Sequence, residues 1–279
     1  MKLGALQPGY LPWLGFFDQI ARCDVFILYD DLPYSKDTWR NRNRIRTPQG
    51  WCWLSVPVHN DGLLHKTIRE VEIREERQWR RRHWRALQCN YARAPFFPAY
   101  EAFFAKLYEQ RWRFLIDLNV AIIRYIVEVL GLQTRLVISS ETGLEREFVG
   151  VRTRVKDPTG RIAYLCQRLG ADCFLEGALG RTFMEPARLA PVGITMEFHD
   201  YRHPRYRQQF SQYAQLCGGF IPYLSVIDLL FNHGPESLDI LTGRKTVCPL
   251  PGEGKTGALH GLRTHAISDA DPHRIHQHL

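Results

Sequence analysis

The sequence predicts an α/β protein with an open, mainly parallel sheet and a helical insertion over residues 78–130. Three observations predict it. Short apolar runs alternate with segments of helical period, the order that parallel βαβ units require. The first run passes through a Pro/Gly-rich turn into an amphipathic helix within 21 residues. From residue 78 to 130 the helical period holds, interrupted only by prolines.

The elements follow in chain order. Leu3 to Leu6 reads as the first strand and Gln7 to Trp13 as a turn. Pro12 stands where a helix begins, a place proline tolerates because the first amide has no intrahelical partner. Leu14, Phe17, Ile20 and Ala21 then share a helix face. Residues 24–29 form a buried strand ending in Asp30-Asp31. Residues 53–58 form another, placed near an edge by Pro57, and residues 68–73 a short one. Helices are predicted over 78–93, 99–110 and 112–130, the first two broken by Ala94-Pro95 and Pro98. The last is the clearest, with Leu115, Leu118, Ile122, Ile126 and Val129 in register and Gly131 as its C-cap. A strand follows at 134–139 and a helix at 159–169, stopped by Gly170. Further strands are predicted at 173–175 and 195–198, and a helix at 222–231. The domain reading is a single α/β domain over 1–242 and a flexible His/Gly/Pro-containing tail over 243–279.

Composition bounds the function. Of 279 residues, 45% are hydrophobic and 24% charged, ordinary for a folded soluble chain. No apolar run approaches the ~20 residues of a membrane helix, and the N-terminus lacks a signal peptide's apolar core, so a cytoplasmic protein is expected. Seven cysteines without a Cys-x-x-Cys pair argue for free thiols and against a structural zinc site. No metal ligand set is identified. The net charge of +8 is carried mostly by arginine, which suits phosphate-bearing partners.

Several segments could carry chemistry. In open α/β sheets ligands bind beyond the carboxyl ends of strands, where helix N-termini favour anions. Gln7, Pro8, Gly9 and Trp13 are therefore candidates to bind phosphate, with Tyr10 in the same turn a catalytic candidate. Trp39-Arg40-Asn41-Arg42-Asn43-Arg44-Ile45-Arg46, if extended, places four arginines on one face and Asn41 and Asn43 on the other. Trp39, Asn41, Arg42, Asn43 and Arg44 are assigned to the ligand, since arginine makes forked contacts to phosphate and asparagine can read a sugar hydroxyl or a base edge. Asp30 and Asp31 could hold Mg²⁺ with nucleotide phosphates, act as a general base, or pair with arginines. Asn90 and Tyr91 could end a pocket. Thr159 and Arg161 open a helix, Arg161 against its dipole, which suggests a bound anion. Glu176, Gly177 and Arg181 belong to a tight turn after a strand, and His199 and Tyr201 to the end of another. Trp79 to Leu87 is basic and aromatic; a nucleic-acid groove uses such residues, but an amphipathic helix with a tryptophan-rich core face explains the rings better.

The longest motifs are Gln7-Pro8-Gly9-Tyr10-Leu11-Pro12-Trp13-Leu14-Gly15-Phe16-Phe17, Tyr29-Asp30-Asp31, Trp39 to Ile45, Asn90-Tyr91, Leu169 to Asp172 and Ser225 to Asn232. Together they resemble the WbqC-like family over residues 1 to about 240. The resemblance implies a role in bacterial surface-polysaccharide or natural-product biosynthesis. Gly9 and Glu176 depart from the pattern, standing where Asn and a small Ser are expected. A looser likeness, to Rossmann-like and nucleotidyltransferase-like folds with a His-x-x-His turn, puts Gln7 and Tyr10 where those histidines stand. Arg42 or Arg44 would then supply the cation.

The expectation is a biosynthetic transferase. It would move an acyl, aminoacyl or nucleotidyl group from a phosphate-bearing donor to an amino sugar or related small molecule, with Mg²⁺ accompanying a nucleotide. An enzyme using an aminoacyl-tRNA donor and a non-catalytic partner in a biosynthetic complex are the alternatives.

Overall fold

A computed structural model describes residues 1–35, 38–76, 78–151, 157–210 and 219–247. Its centre is a five-stranded sheet in the order β5-β2-β1-β6-β7, with every pair parallel. The strands are β1 (Lys2–Leu6), β2 (Val25–Leu28), β5 (Arg135–Ile138), β6 (Cys173–Gly177) and β7 (Thr195–His199). β3 (Arg42–Thr47) and β4 (Gly50–Ser55) pair antiparallel in a separate hairpin. The expected α/β class with a mainly parallel sheet is the observed one.

The chain leaves β1 through α1 (Leu14–Ala21) to β2, then reaches β5 after the hairpin and three helices. These are α2 (Trp79–Tyr91), α3 (Phe97–Glu109) and α4 (Leu115–Val129). Two shorter helices, α5 (Ser139–Thr142) and α6 (Leu144–Val151), precede α7 (Pro158–Leu169). From α7 the chain crosses to the other side of β1 and lays down β6 and β7, before α8 (Val226–His233) and α9 (Ser237–Leu241). Strand order therefore reverses at β1. A crevice at the carboxyl ends of β1 and β6 is the geometric consequence.

The sheet separates two cores. On one face Phe17, Ile20, Phe26 and Leu175 pack with the apolar faces of α2, α3, α4 and α8. On the other, Leu3, Val25, Ile27 and Phe174 pack with Ile162, Leu165 and Cys166 of α7. Such strands are apolar on both sides, which is why they read as continuous hydrophobic runs. Each fully buried Leu, Ile or Phe adds about 1.5–3 kcal/mol by leaving water.

Local expectations meet three differences. Residues 68–73 do not form a strand: Ile68–Glu70 is a single 3₁₀ turn, opened by a Thr67/Glu70 capping box. The extended run predicted over 39–46 narrows to 42–47, because residues 39–41 turn inward. The strand predicted at 53–58 is β4, which pairs with β3 and ends before Pro57. Cys23, Cys52, Cys89, Cys166 and Cys173 are free thiols, as expected, although Cys89 is exposed. The described part of the chain stops at residue 247, so most of the predicted tail lies outside it. No described helix is long and apolar enough to cross a membrane.

Candidate functional site

The crevice beyond β1 and β6 holds a cavity of about 80 Å³. Leu6, Gln7 and Gly9 after β1, and Gly177 to Leu179 after β6, form one side. Trp13, Trp39, Tyr201 and Tyr223 supply aromatic walls, and Arg40, Asn43 and His199 polar ones. A buried water needs roughly 10–15 Å³ by this kind of measure, so the space takes a small group of a few heavy atoms, not a whole nucleotide.

The turn that shapes the cavity is pinned from four sides. Asn43 Nδ2 donates to Leu11 O (2.6 Å), and Asn119 Nδ2 donates to Arg40 O (2.9 Å) and Pro8 O (3.4 Å). Tyr10 N donates to Trp39 O (3.2 Å) and Val226 N to Pro12 O (2.9 Å). These bonds hold Leu11 in the left-handed region at φ +46°, which a branched side chain avoids unless its surroundings impose it. Gly9 lets the chain pass close to Trp39: a Cβ there would stand 2.7 Å from the Trp39 carbonyl oxygen. Gly15 does the same for the Trp13 indole, which lies over the first turn of α1. No side chain caps that turn; Phe16 N donates to Trp13 O (3.2 Å), and Gly15 and Phe16 line the cavity, so the N-terminal end of α1 adds positive potential there.

The polar groups at this end are donors. Arg40 is 8% exposed, and burial pulls its guanidinium down to about 10. Its Nε donates to Gln7 Oε1 (2.6 Å), and among the described residues no carboxylate pairs with it. That bond fixes the Gln7 amide, leaving Nε2 buried without a partner; Trp39 Nε1 is in the same condition. Buried donors without acceptors each cost about 1–3 kcal/mol, and an unpaired charge more. Gln7, Trp39 and Arg40 line one cavity, and donors so placed could meet an anionic group.

A second constellation lies beside it. His199, at the carboxyl end of β7, places Nε2 2.6 Å from Oδ2 of Asp18, which is fully buried in α1. A carboxylate only accepts, so Nε2 carries a proton toward Asp18. Arg22 holds the same carboxylate through Nε (2.6 Å) and Nη2 (3.3 Å). An imidazole oriented in this way by a buried carboxylate is suited to general-base work.

Of the residues singled out in the sequence, Gln7, Gly9, Trp13, Trp39, Asn43, Gly177, His199 and Tyr201 line the cavity. Pro8 supports the turn through its carbonyl. The others lie elsewhere. Tyr10 is buried, bonded to His83 Nδ1 (2.9 Å) and Tyr108 Oη, and burial drives His83 down to about 3, so this is a neutral core cluster. Asp30 accepts from Ser139 Oγ (2.8 Å), Ser140 N (2.9 Å) and Ser140 Oγ (2.7 Å), which ties β2 to the start of α5. Asp31 stands 3.6 Å from Arg69, its carboxyl raised by burial and by Asp30. Neither aspartate lines the cavity. Among the described residues no group of three His, Cys, Asp or Glu could hold a metal ion.

The arginine ladder divides. Arg40 turns into the cavity, while Arg42 and Arg44 ride on tryptophan rings. Arg46 is buried against the carbonyls of Gln209 (3.1 Å), Gly50 (3.3 Å) and Gly219 (2.9 Å). Asn41 Nδ2 donates to Val56 O, and Asn90 Nδ2 to Ala86 O inside its own helix. Tyr91 Oη donates to the buried Asp228. Thr159 is buried behind α7 and accepts from Glu185 N (3.0 Å). Arg161 pairs with Glu145 (3.1 Å), and Arg181 with Asp200 (2.6 Å). Glu176 faces away because side chains alternate along β6: Leu175 and Gly177 face α1, Phe174 and Glu176 face α7. There its Oε2 is buried without a partner, and burial pushes the carboxyl up to about 7. On the basic helix, Trp79 is fully buried and Trp84 stacks on Phe97, so both rings serve the core.

Sequence reasoning passed over Arg40 as a ligand and Asp18 altogether. The signal for Asp18 was available: it stands one turn beyond Leu14 on the buried side of α1, a charge in a core position. Nothing local distinguishes Arg40 from Arg42 and Arg44.

A model of the WbqC-like protein family matches residues 7–240. The chain belongs to the WbqC-like family. The matched span holds the turn, Arg40, Asp18 and His199. A Mycobacterium tuberculosis (strain ATCC 25618 / H37Rv) protein described as "Uncharacterized protein Rv1507c" is 38% identical over 241 residues, covering 86% of this chain and 97% of that one. No solved structure matches the chain.

Proposed function

We propose that this WbqC-like protein is a biosynthetic transferase that moves an acyl, aminoacyl or nucleotidyl group from a phosphate-bearing donor to an amino sugar or related small molecule. The observation that carries the reading is Arg40: a buried guanidinium that meets no carboxylate among the described residues, beside Gln7 Nε2 and Trp39 Nε1, which have no partner among them. These donors and the amides of α1 would hold the anionic group of the donor and the charge that develops as it leaves. His199 Nδ1, oriented by Asp18, would take the proton from the acceptor's amine or hydroxyl. The acceptor's nitrogen or oxygen bonds to the transferred carbonyl carbon or phosphorus, and the donor's oxygen, or the thioester sulfur of an acyl-CoA, departs with the electron pair. The family's place in polysaccharide and natural-product clusters, implied by the sequence resemblance, fits such a step.

Thermal shift tests it. The panel is ATP, CTP, UDP- and dTDP-sugars, acyl-CoA and total tRNA, each with and without Mg²⁺, on the wild type and Arg40→Met. A ligand at a hundred times its Kd stabilises by about 2.7 kcal/mol. The expected result is stabilisation by one donor class that disappears in Arg40→Met. Silence on the wild type, or equal shifts in the variant, would overturn the reading.

A further inference from the structure

The cavity is too small for an activated donor, so the bulk of the ligand must lie outside it. One wall leads outward. Trp39 lines the cavity, and its ring centroid is 5.2 Å from that of Trp53 on β4; Trp53 is 5.6 Å from Trp51. Trp51 and Trp53 are each 40% exposed, and Trp51, Trp53, Arg42 and Arg44 share the outer face of the hairpin. The Arg42 guanidinium lies 4.8 Å over Trp53, and that of Arg44 lies 5.0 Å over Trp51 and 5.5 Å over Trp39. Arg44 Nη2 also donates to the carbonyl of Tyr223, another cavity wall.

We infer that this face binds the single-stranded end of an RNA whose terminal group enters the cavity. This deepens the proposed function, on which it rests, by naming the carrier of the donor group. Trp39 and Trp53 are inclined at 49° and Trp53 and Trp51 at 85°, so a base would stack on the exposed face of each ring and not between rings, with the neighbouring guanidinium groups meeting the phosphates that join the bases. A single nucleotide has one ring and would leave the outer tryptophans unused. A neutral glycan could stack on the rings and accept from the arginines through its hydroxyls, but without the charge-assisted, forked contacts that a phosphate makes. The net charge of +8 on the chain agrees in sign with a polyanion.

The test is fluorescence anisotropy of a labelled oligouridylate of about a dozen nucleotides, on the full-length protein, with inorganic pyrophosphate as a separate probe of the cavity. Wild type, Trp51→Ala/Trp53→Ala and Arg40→Met are compared. The expected oligonucleotide affinity falls steeply with salt, with a log–log slope of about −0.7 per phosphate contacted. It drops at least about tenfold in the double tryptophan variant, given about 1–3 kcal/mol per stacked base. Pyrophosphate should still protect that variant thermally, which shows that it is folded and that the cavity is intact. Trp51→Phe/Trp53→Phe should restore part of the affinity. No oligonucleotide binding at low salt overturns the inference, as does binding that ignores the tryptophans, which would make them a structural ladder. Salt-independent binding of a neutral oligosaccharide through the same rings overturns it in favour of a glycan. Loss of pyrophosphate protection in Arg40→Met but not in the tryptophan variants upholds the cavity reading whichever way the RNA result falls.

Discussion

Single residues in this molecule are best understood by asking which polar atoms are satisfied. Asp30 and Asp18 are both buried carboxylates, but their partners separate their roles. Asp30 has all its bonds within the scaffold, to Ser139 and Ser140. Asp18 faces an imidazole on the cavity wall. Asp30→Ala should therefore cost about 1–3 kcal/mol in denaturant unfolding, by stranding the serine donors. Asp18→Asn should leave stability near wild type and cut turnover by about 10²–10⁴, because an amide no longer fixes the tautomer of His199; once a substrate is in hand, unchanged turnover in Asp18→Asn would remove His199 from the base role. Glu176 gives a pH dependence. Below its ordinary value of 4.5 the carboxyl is protonated both folded and unfolded. Between 4.5 and about 7 the unfolded chain releases the proton while the buried group keeps it, so stability falls as pH rises and levels off above about 7. Glu176→Gln removes that loss, so at pH 8 it should be more stable than wild type by roughly 2–4 kcal/mol, the difference vanishing near pH 4. Unfolding curves at the two pH values check it, and an equal effect at both would place Glu176 in a different environment.

At the scale of elements, the turn between β1 and α1 does the positioning. Its motif was legible as a special turn, and the structure supplies the reason for its glycines. A Cβ at Gly15 would collide with the Trp13 ring, and one at Gly9 would crowd the Trp39 carbonyl. Gly15→Ala should displace the indole and weaken ligand binding more than it lowers Tm, a comparison that thermal shift with and without ligand makes directly. Asn43 acts as a clamp: its Nδ2 holds Leu11 O while its Oδ1 accepts from Arg44 N (2.8 Å). Asn43→Ala should cost about 2–3 kcal/mol, two hydrogen bonds plus release of the left-handed Leu11; a loss under about 0.5 kcal/mol would show that the other pins suffice. Helices announced themselves more plainly than the hairpin. α4 repeats its apolar residues every three or four positions over four turns, whereas β3 has arginines at alternate positions that go to different surroundings.

Across the whole molecule, the order of strands is what creates the site. β1 sits centrally with β2 on one side and β6 on the other, so the turns after β1 and β6 diverge and leave a crevice between them. Residues from the first, second and last thirds of the chain meet there: Gln7, Arg40 and Asp18 early, Gly177 in the middle, His199 and Tyr223 late. The hairpin lies outside the parallel sheet and extends the aromatic wall toward solvent, where the RNA experiment addresses it.

The sequence by itself determined the long helices, the strands of the parallel sheet, the α/β class and the turn after β1. Each of these depends on local periodicity, proline and glycine placement, and runs of apolar residues, all of which act within about a dozen positions along the chain. Only the tertiary structure decided which charged residues share the cavity. Four arginines in one motif are chemically alike, and what separates Arg40 from Arg42, Arg44 and Arg46 is the surroundings each meets: Gln7 and a cavity, tryptophan rings, or backbone carbonyls. Asp30 and Glu176 were turned from the cavity for the same kind of reason, one by two serines distant in sequence and the other by the side-chain alternation of β6. Burial and long-range hydrogen bonding assign such groups, and neither is encoded within a local window.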